Sequence, residues 1–307
     1  MRVIVLGAAA GGGLPQWNCG CSRCHAARHT PERVRPRSQS SLCVSADGER
    51  WVLFNASPDV RSQLMATPAL WPHTLRQSPV HAVVLTNADI DHAAGLLVLR
   101  EGGAPAIYCT ARVEQALTEG LRILPALAAY GRVVLRRVVC GEAIAVCDRD
   151  GRPTGVTVRA FSVTSKPPPY MYPFDRSAPD GDGDTVGYVI GAGEGAPVVY
   201  VPGVRVLDDA LRRELLTAHT VFVDGTFLSD DELVAMGAST KTAKAMGHAP
   251  LQGEDGLVAF LDTIPGPRKI LVHINNSNPV LEEGSQARAW LTAHGIDVAY
   301  DGLTLDV

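Results

Sequence analysis

The chain has 307 residues, 46% hydrophobic and 20% charged, with 28 basic side chains against 32 acidic ones and a formal net charge of −4. That apolar share supports a sizeable core, and the mildly acidic balance lacks the basic face that nucleic-acid binding needs, so no nucleic-acid partner is expected. No apolar run is long enough to span a bilayer, and MRVIVLG at the start is too short for a secretory core, so a cytoplasmic protein is expected.

In chain order, RVIVLG (2–7) reads as a buried first strand. The glycine-rich GAAAGGGLPQWNC (7–19) follows it, but without the Gly-x-Gly-x-x-Gly spacing. Pro15, Asn18 and a cysteine stand where a dinucleotide site needs a helix, so close backbone packing is expected instead. Next, CGCSRC places Cys19, Cys21 and Cys24 within six positions of a chain with seven cysteines. An odd count with such clustering suits a metal in a reducing compartment better than disulfides. Zinc takes sulfur tetrahedrally without redox chemistry, so a structural Zn²⁺ is expected there. His25, His29, Cys43 and Asn276 are all candidates for its fourth ligand.

SLCVS, WVLFNA and HAVVLT are the next strands, with a short helix over 58–65 that Ser57 is placed to cap. Further helices are expected over 92–100, 111–122, 206–218, 254–263 and 285–294. APAIYC, RVVLRRVV, GVTVRAFSV, TVGYVIGA, PVVYVPG, TVFVDG, RKILVHI and LTLDV supply the remaining strands. The early strands lack intervening helices, which favours an α/β sandwich of two sheets with outer helices over a doubly wound sheet. No linker composition interrupts the chain, so one domain over 1–307 is expected. The irregular stretch 165–184, SKPPPYMYPFDRSAPDGDGD, is expected to be a lid, with Tyr170, Tyr172 and Phe174 as apolar contacts and an acidic tip. Its DGDGD run lacks the glycine and closing glutamate of a calcium loop.

The strand-like run ending at Leu85 delivers TNADIDHAAG, in which Asp91 and His92 sit side by side. RKILVHI similarly ends at His273, and strands that place polar groups at their carboxyl ends commonly build α/β sites. MGHAP adds His248 in a loop. Of the nine histidines, His29, His73, His219 and His294 read as surface or packing residues.

The motifs GAAAGGGLPQWNCGCSRC, RVRPRSQSSL, LTNADIDHAAGLL, VDGTF, TKTAKAMGHAP and HINNSNPVL run in order along nearly the whole chain. This series strongly resembles the pyrroloquinoline quinone (PQQ) biosynthesis protein B family, within the metallo-β-lactamase superfamily. The resemblance implies an αβ/βα sandwich with two mixed sheets, a metal site at its open edge, and a separate Cys-bound zinc. Hydrolases of that superfamily carry His-x-His-x-Asp-His where this chain has Asn87-x-Asp89-x-Asp91-His92. Their bridging aspartate falls at YVPG, where Pro202 has no ligand atom. The half that survives is Asp91, His92 and His273, the two-His-one-carboxylate set of non-haem Fe(II) oxygenases.

By this resemblance the substrate is a Glu–Tyr-derived PQQ precursor, and the expected reaction is O₂-dependent hydroxylation of its tyrosine ring. The alternatives are a carrier for PQQ or its precursor and, further off, a metal-dependent hydrolase. His248 is the candidate acid–base group, and Asp89 a fourth ligand or an orienting carboxylate. Arg37, Ser38, Gln39, Lys241 and Lys244 are the candidate donors to a polyanionic substrate.

Overall fold

The computed structural model describes residues 1–101, 104–171 and 183–307. Its strands, in chain order, are β1 (Arg2–Gly7), β2 (Ser41–Ser45), β3 (Trp51–Phe54), β4 (Val80–Val84), β5 (Ala106–Cys109), β6 (Leu135–Arg137) and β7 (Ala143–Cys147). They continue with β8 (Pro153–Ser162), β9 (Val186–Ala192), β10 (Val198–Val201), β11 (Thr220–Asp224), β12 (Arg268–Val272), β13 (Ile296–Val298) and β14 (Thr304–Asp306). Two seven-stranded mixed sheets result, ordered β14-β1-β2-β3-β4-β5-β6 and β13-β12-β11-β10-β9-β8-β7. The α/β sandwich expected from the sequence is the one observed.

Alternation builds the layers. Val3, Val5, Val44, Phe54 and Tyr108 of the first sheet meet Val158, Tyr188, Tyr200, Phe222 and Ile270 of the second in one buried layer. Phe54 is the hinge of that layer, edge-on to Tyr188 at 5.9 Å and to Tyr200 at 6.1 Å, a favoured aromatic geometry. The opposite strand faces, Leu53, Val83 and Ile107 on one sheet and Val199, Val221 and Leu271 on the other, pack under the outer helices.

In each sheet a parallel set follows the antiparallel one: β3 through β6 in the first, β10 through β13 in the second. The carboxyl ends of β4, β11 and β12 are therefore free to carry side chains at the sandwich edge. The expected helix over 92–100 begins two residues earlier, at Ile90, and becomes a 3₁₀ helix from Ala94 to Arg100. Close packing explains its path, since a Cβ on Gly95 would fall 2.1 Å from the Ser57 carbonyl. The helix after Ser57 runs Val60–Ala66 with Asp59, not Ser57, at its N-cap position. The Ser57 hydroxyl instead donates to Gln63. Among the described residues, no helix is long and apolar enough to cross a membrane.

The glycine-rich turn is a backbone contact, as its spacing predicts. Ala10 N–H donates to the Ile274 carbonyl and Ile274 N–H to that of Ala8, both at 2.9 Å, tying the turn to the loop after β12. A Cβ on Gly7 would lie 2.1 Å from the Gln39 carbonyl.

Candidate metal centres

The thiol cluster assembles locally. Helix Ser22–His29 has Cys21 at its N-cap, and the Cys21 sulfur accepts the Cys24 N–H at 3.4 Å. Arg28 clamps the loop by donating to the carbonyls of Cys19 and Gln16, at 2.9 and 2.7 Å. The three Sγ atoms form one group within 4.8 Å of one another. Burial, and the Cys21 sulfur beside it, push the Cys24 thiol up to about 11 despite N–H groups from Gln16 and Asn276. Burial also opposes ionisation of Cys21, but the Cys24 amide and the neighbouring thiols outweigh it and lower its value. Such a triangle fits a soft cation, which would bind all three as thiolates. Of the four candidate fourth ligands, Asn276 is the one placed there, with its amide 3.2, 3.8 and 3.3 Å from Cys19, Cys21 and Cys24. Cys43 lies on β2, fully buried under the outer helices.

The second centre gathers residues far apart in sequence. The loop after β4 is shaped by Asn55, whose side-chain oxygen accepts the Thr86 N–H at 2.9 Å. His92 Nδ1–H donates to Asn87 Oδ1 at 2.7 Å, which leaves Nε2 bare of hydrogen. That Nε2 is buried and has no hydrogen-bond partner. It lies 3.9 Å from Asp91 Oδ2, and His273 Nε2 approaches the same oxygen at 3.2 Å. Burial pulls the His92 imidazole down to about 4, so it is neutral at physiological pH. Burial disfavours charge on Asp91 too, but His92 and His273 outweigh it and hold the carboxyl well below its usual range. One carboxylate and two imidazoles aimed at a common point, with an orphaned buried nitrogen among them, fit a single divalent cation.

His273 sits at φ +56°, a left-handed conformation that costs a non-glycine residue about 1–2 kcal/mol. Thr226 Oγ1 holds it there, 2.8 Å from the His273 carbonyl and 2.9 Å from its Nδ1. His248 stacks on His273 with ring centroids 5.3 Å apart and an interplanar angle of 23°. Its Nδ1–H donates to Asp224 Oδ2 at 2.7 Å. Burial lowers the His248 value, but the Asp224 carboxylate outweighs that and raises it. An imidazole oriented in this way by a buried carboxylate is equipped to pass protons from Nε2.

A cavity of about 330 Å³ opens over these groups. Asp89 lines it, but it lies outside the cluster of converging donors. Its Oδ2 accepts from Asn87 at 2.9 Å, and burial, then repulsion from Asp91, push its carboxyl up to about 7. Lys241 lines the cavity, whereas Lys244 does not.

The other three candidate donors also lie off it. Arg37 is buried and donates to the carbonyls of Ala299 and Arg35 at 3.0 and 2.8 Å. Ser38 donates to Asp301 at 2.6 Å, and Gln39 to Asp59 at 3.0 Å. Their polarity serves the packing of the N-terminal loop. Of the expected lid, Ser165, Lys166, Pro167 and Pro169 line the cavity, and the Tyr170 hydroxyl donates to the Ala88 carbonyl. Tyr172 and Phe174 lie outside the described residues.

Sequence reading missed Asp224, Thr226 and Lys166. The first of these had a usable signal, an acidic residue closing an all-apolar strand run before glycine. Pro202 is buried directly after β10.

A beta-lactamase superfamily domain model matches residues 50–274. Coenzyme PQQ synthesis protein B of a Methylorubrum extorquens strain is 44% identical, with all of both chains covered. The protein of the same description from Azoarcus sp. (strain BH72) is 43% identical, again over both whole chains. The crystal structure of Zn(2+)-bound PqqB from Methylobacterium extorquens superposes with a TM-score of 0.91 at 43% identity and full coverage of each chain. A diphosphatase of the PhnP family, with a TM-score of 0.66 and 21% identity over 99% of this chain and 97% of its own, shares the fold. The chain belongs to the coenzyme PQQ synthesis protein B family of the beta-lactamase superfamily.

Proposed function

We propose that the protein acts in PQQ biosynthesis, in the cytoplasm, as an O₂-dependent hydroxylase of the tyrosine ring of a Glu–Tyr-derived precursor. Fe²⁺ is assigned to Asp91, His92 and His273, and structural Zn²⁺ to Cys19, Cys21 and Cys24. The observation that carries this reading is the half-dismantled centre. Asn87, Asp89 and Pro202 stand where a second cation's ligands would be, while the surviving three donors converge around the unpartnered His92 Nε2.

A bound Fe²⁺ would supply the redox chemistry with O₂. The chain's own groups handle binding and protons. His248, oriented by Asp224, takes the phenolic proton, which enriches the ring carbon next to the phenol oxygen for attack. Asn87 fixes the His92 ring through Nδ1, and Thr226 fixes that of His273. The balance is one ring C–H converted to C–OH per O₂. The second oxygen atom leaves as water, with two protons and two electrons from an added reductant such as ascorbate.

The test is anaerobic loading with Fe²⁺, addition of the precursor and reductant, and a pulse of ¹⁸O₂. Product heavier by one ¹⁸O atom is expected, with matched oxygen uptake. Product formed without oxygen would favour a hydrolase. Tight PQQ binding with no oxygen uptake would favour a carrier.

A further inference from the structure

Two segments meet along the cavity wall. One is Ser165–Lys166, and the other is the strip from Lys241 to His248. Gly247, at φ +95°, lets them touch: a Cβ there would fall 2.9 Å from Ser165 Oγ and 3.2 Å from Lys166 Cβ. Ser165 Oγ donates to the Gly247 carbonyl at 3.0 Å. Prolines 167 to 169 follow, fixing φ and holding Lys166 itself extended, and Tyr170 anchors the far end on Ala88. The backbone of Lys166 is therefore placed rigidly, while its ammonium swings on a flexible stem.

Lys166 and Lys241 both line the cavity. Among the described residues neither ammonium has an ion-pair or hydrogen-bond partner. Burial, then repulsion from Lys241, pull the Lys166 ammonium below its usual value, while Asp89 pulls the other way. Asp89 acts on Lys166 alone, so the two cations on this concave wall still repel each other until a further anion enters. One carboxylate would balance only one of them. A neutral phenol would balance neither.

We propose that Lys166 and Lys241 form a docking pair for two carboxylates of a di- or polyanionic ligand in the cavity that Asp91, His92 and His273 also line. This rests on the reading of the cavity as a substrate site and adds the chemistry by which substrate is chosen. Lys244, off the cavity, has no part in it.

The experiment uses PQQ, a tricarboxylate, as the probe, titrated calorimetrically into the full chain without added iron or oxygen. Binding is then read independently of turnover. The unmodified protein is expected to bind PQQ with an affinity that falls as salt rises. Lys166→Met and Lys241→Met should each weaken binding about tenfold, and the double variant about a hundredfold. Lys166→Arg, which keeps the charge, should stay within about threefold of the unmodified protein, and Lys244→Met should change nothing. Unaltered PQQ binding in both methionine variants, or no binding by the unmodified protein at about 1 mM, would overturn the proposal. Absence of oxygen uptake would defeat the hydroxylase reading while leaving this result standing.

Discussion

The two clusters differ in how far apart in the chain their members lie. The thiols come from one six-residue stretch and are arranged by a helix cap and an arginine clamp, so most of that cluster forms within a single loop. The carboxylate–imidazole centre takes Asp91 and His92 from the loop after β4 in the first sheet, and His273, Asp224 and His248 from segments around β11 and β12 in the second. It exists only once the sheets have docked. A locally built site can stabilise the chain that carries it, whereas a site spanning a seam reports that the seam is closed. One loop serves both, because His273 belongs to the second cluster and Asn276, three residues on, covers the first.

The seam is where a single change should cost most. His273→Ala should abolish both iron retention by the second centre and ¹⁸O incorporation, while the thiol centre keeps its zinc. Metal analysis paired with mass spectrometry checks this, and full iron content in the variant would dissolve the assignment. Next in size, His248→Ala should retain iron and lose turnover by roughly 10²–10⁴, the range of a lost acid–base group. Equal turnover would show that Asp224 orients that ring for some other purpose.

Cys21→Ser acts on the local cluster. Serine is itself a good N-cap, so helix Ser22–His29 keeps its start and only the thiolate is lost. Zinc content should fall, and a loss of about 2–3 kcal/mol, at roughly 2–4 °C per kcal/mol for a chain of this size, should lower Tm by several degrees. An unchanged Tm with zinc absent would mean that the metal contributes nothing to stability.

A milder response is expected from the N-terminal loop that both clusters lean on. Asp301 accepts from Ser38 N–H and Oγ and from Ala8 N–H, at 2.7, 2.6 and 3.0 Å. Burial pushes its carboxyl up to about 6 against those donors. A carboxyl with a raised folded value binds its proton more tightly when folded, so its contribution to stability is full below about pH 4 and declines as pH rises to about 6. The decline is on the order of 1–3 kcal/mol. Stability measured by denaturant between those pH values should fall less steeply in Asp301→Asn than in the unmodified protein. Identical slopes would remove Asp301 from the pH response.

Periodicity and composition expose what is local. The strands of both sheets were legible because β-branched and aromatic residues run up to turn signals. β7 and β13 were not, since alanines dilute the strand signal of AIAVC and IDV is only three residues long. The thiols were legible from spacing, and Asp91, His92 and His273 from their places at strand ends. Arg37, Ser38 and Gln39 misled because a polar run gives no sign of turning to carbonyls and to the half-buried Asp301 and Asp59. Lys166 stayed hidden in a proline-rich stretch whose neighbour, Gly247, lies far along the chain.

Thr226 has one hydroxyl hydrogen for several acceptors around it. Its hydroxyl oxygen lies within 3.1 Å of four groups: Asp224 Oδ1, His248 Nδ1, His273 Nδ1 and the His273 carbonyl. It owns one hydrogen, which can go to the Asp224 carboxylate or to the carbonyl, but not to both. Towards His273 Nδ1 it then acts as acceptor, which fixes the hydrogen of that ring on Nδ1 and leaves Nε2 as a lone pair. Asp224 does the same for His248. Two stacked rings thus have their tautomers fixed by neighbouring acceptors, so exchanging Thr226 for valine would free the His273 ring while Asp224 still holds that of His248.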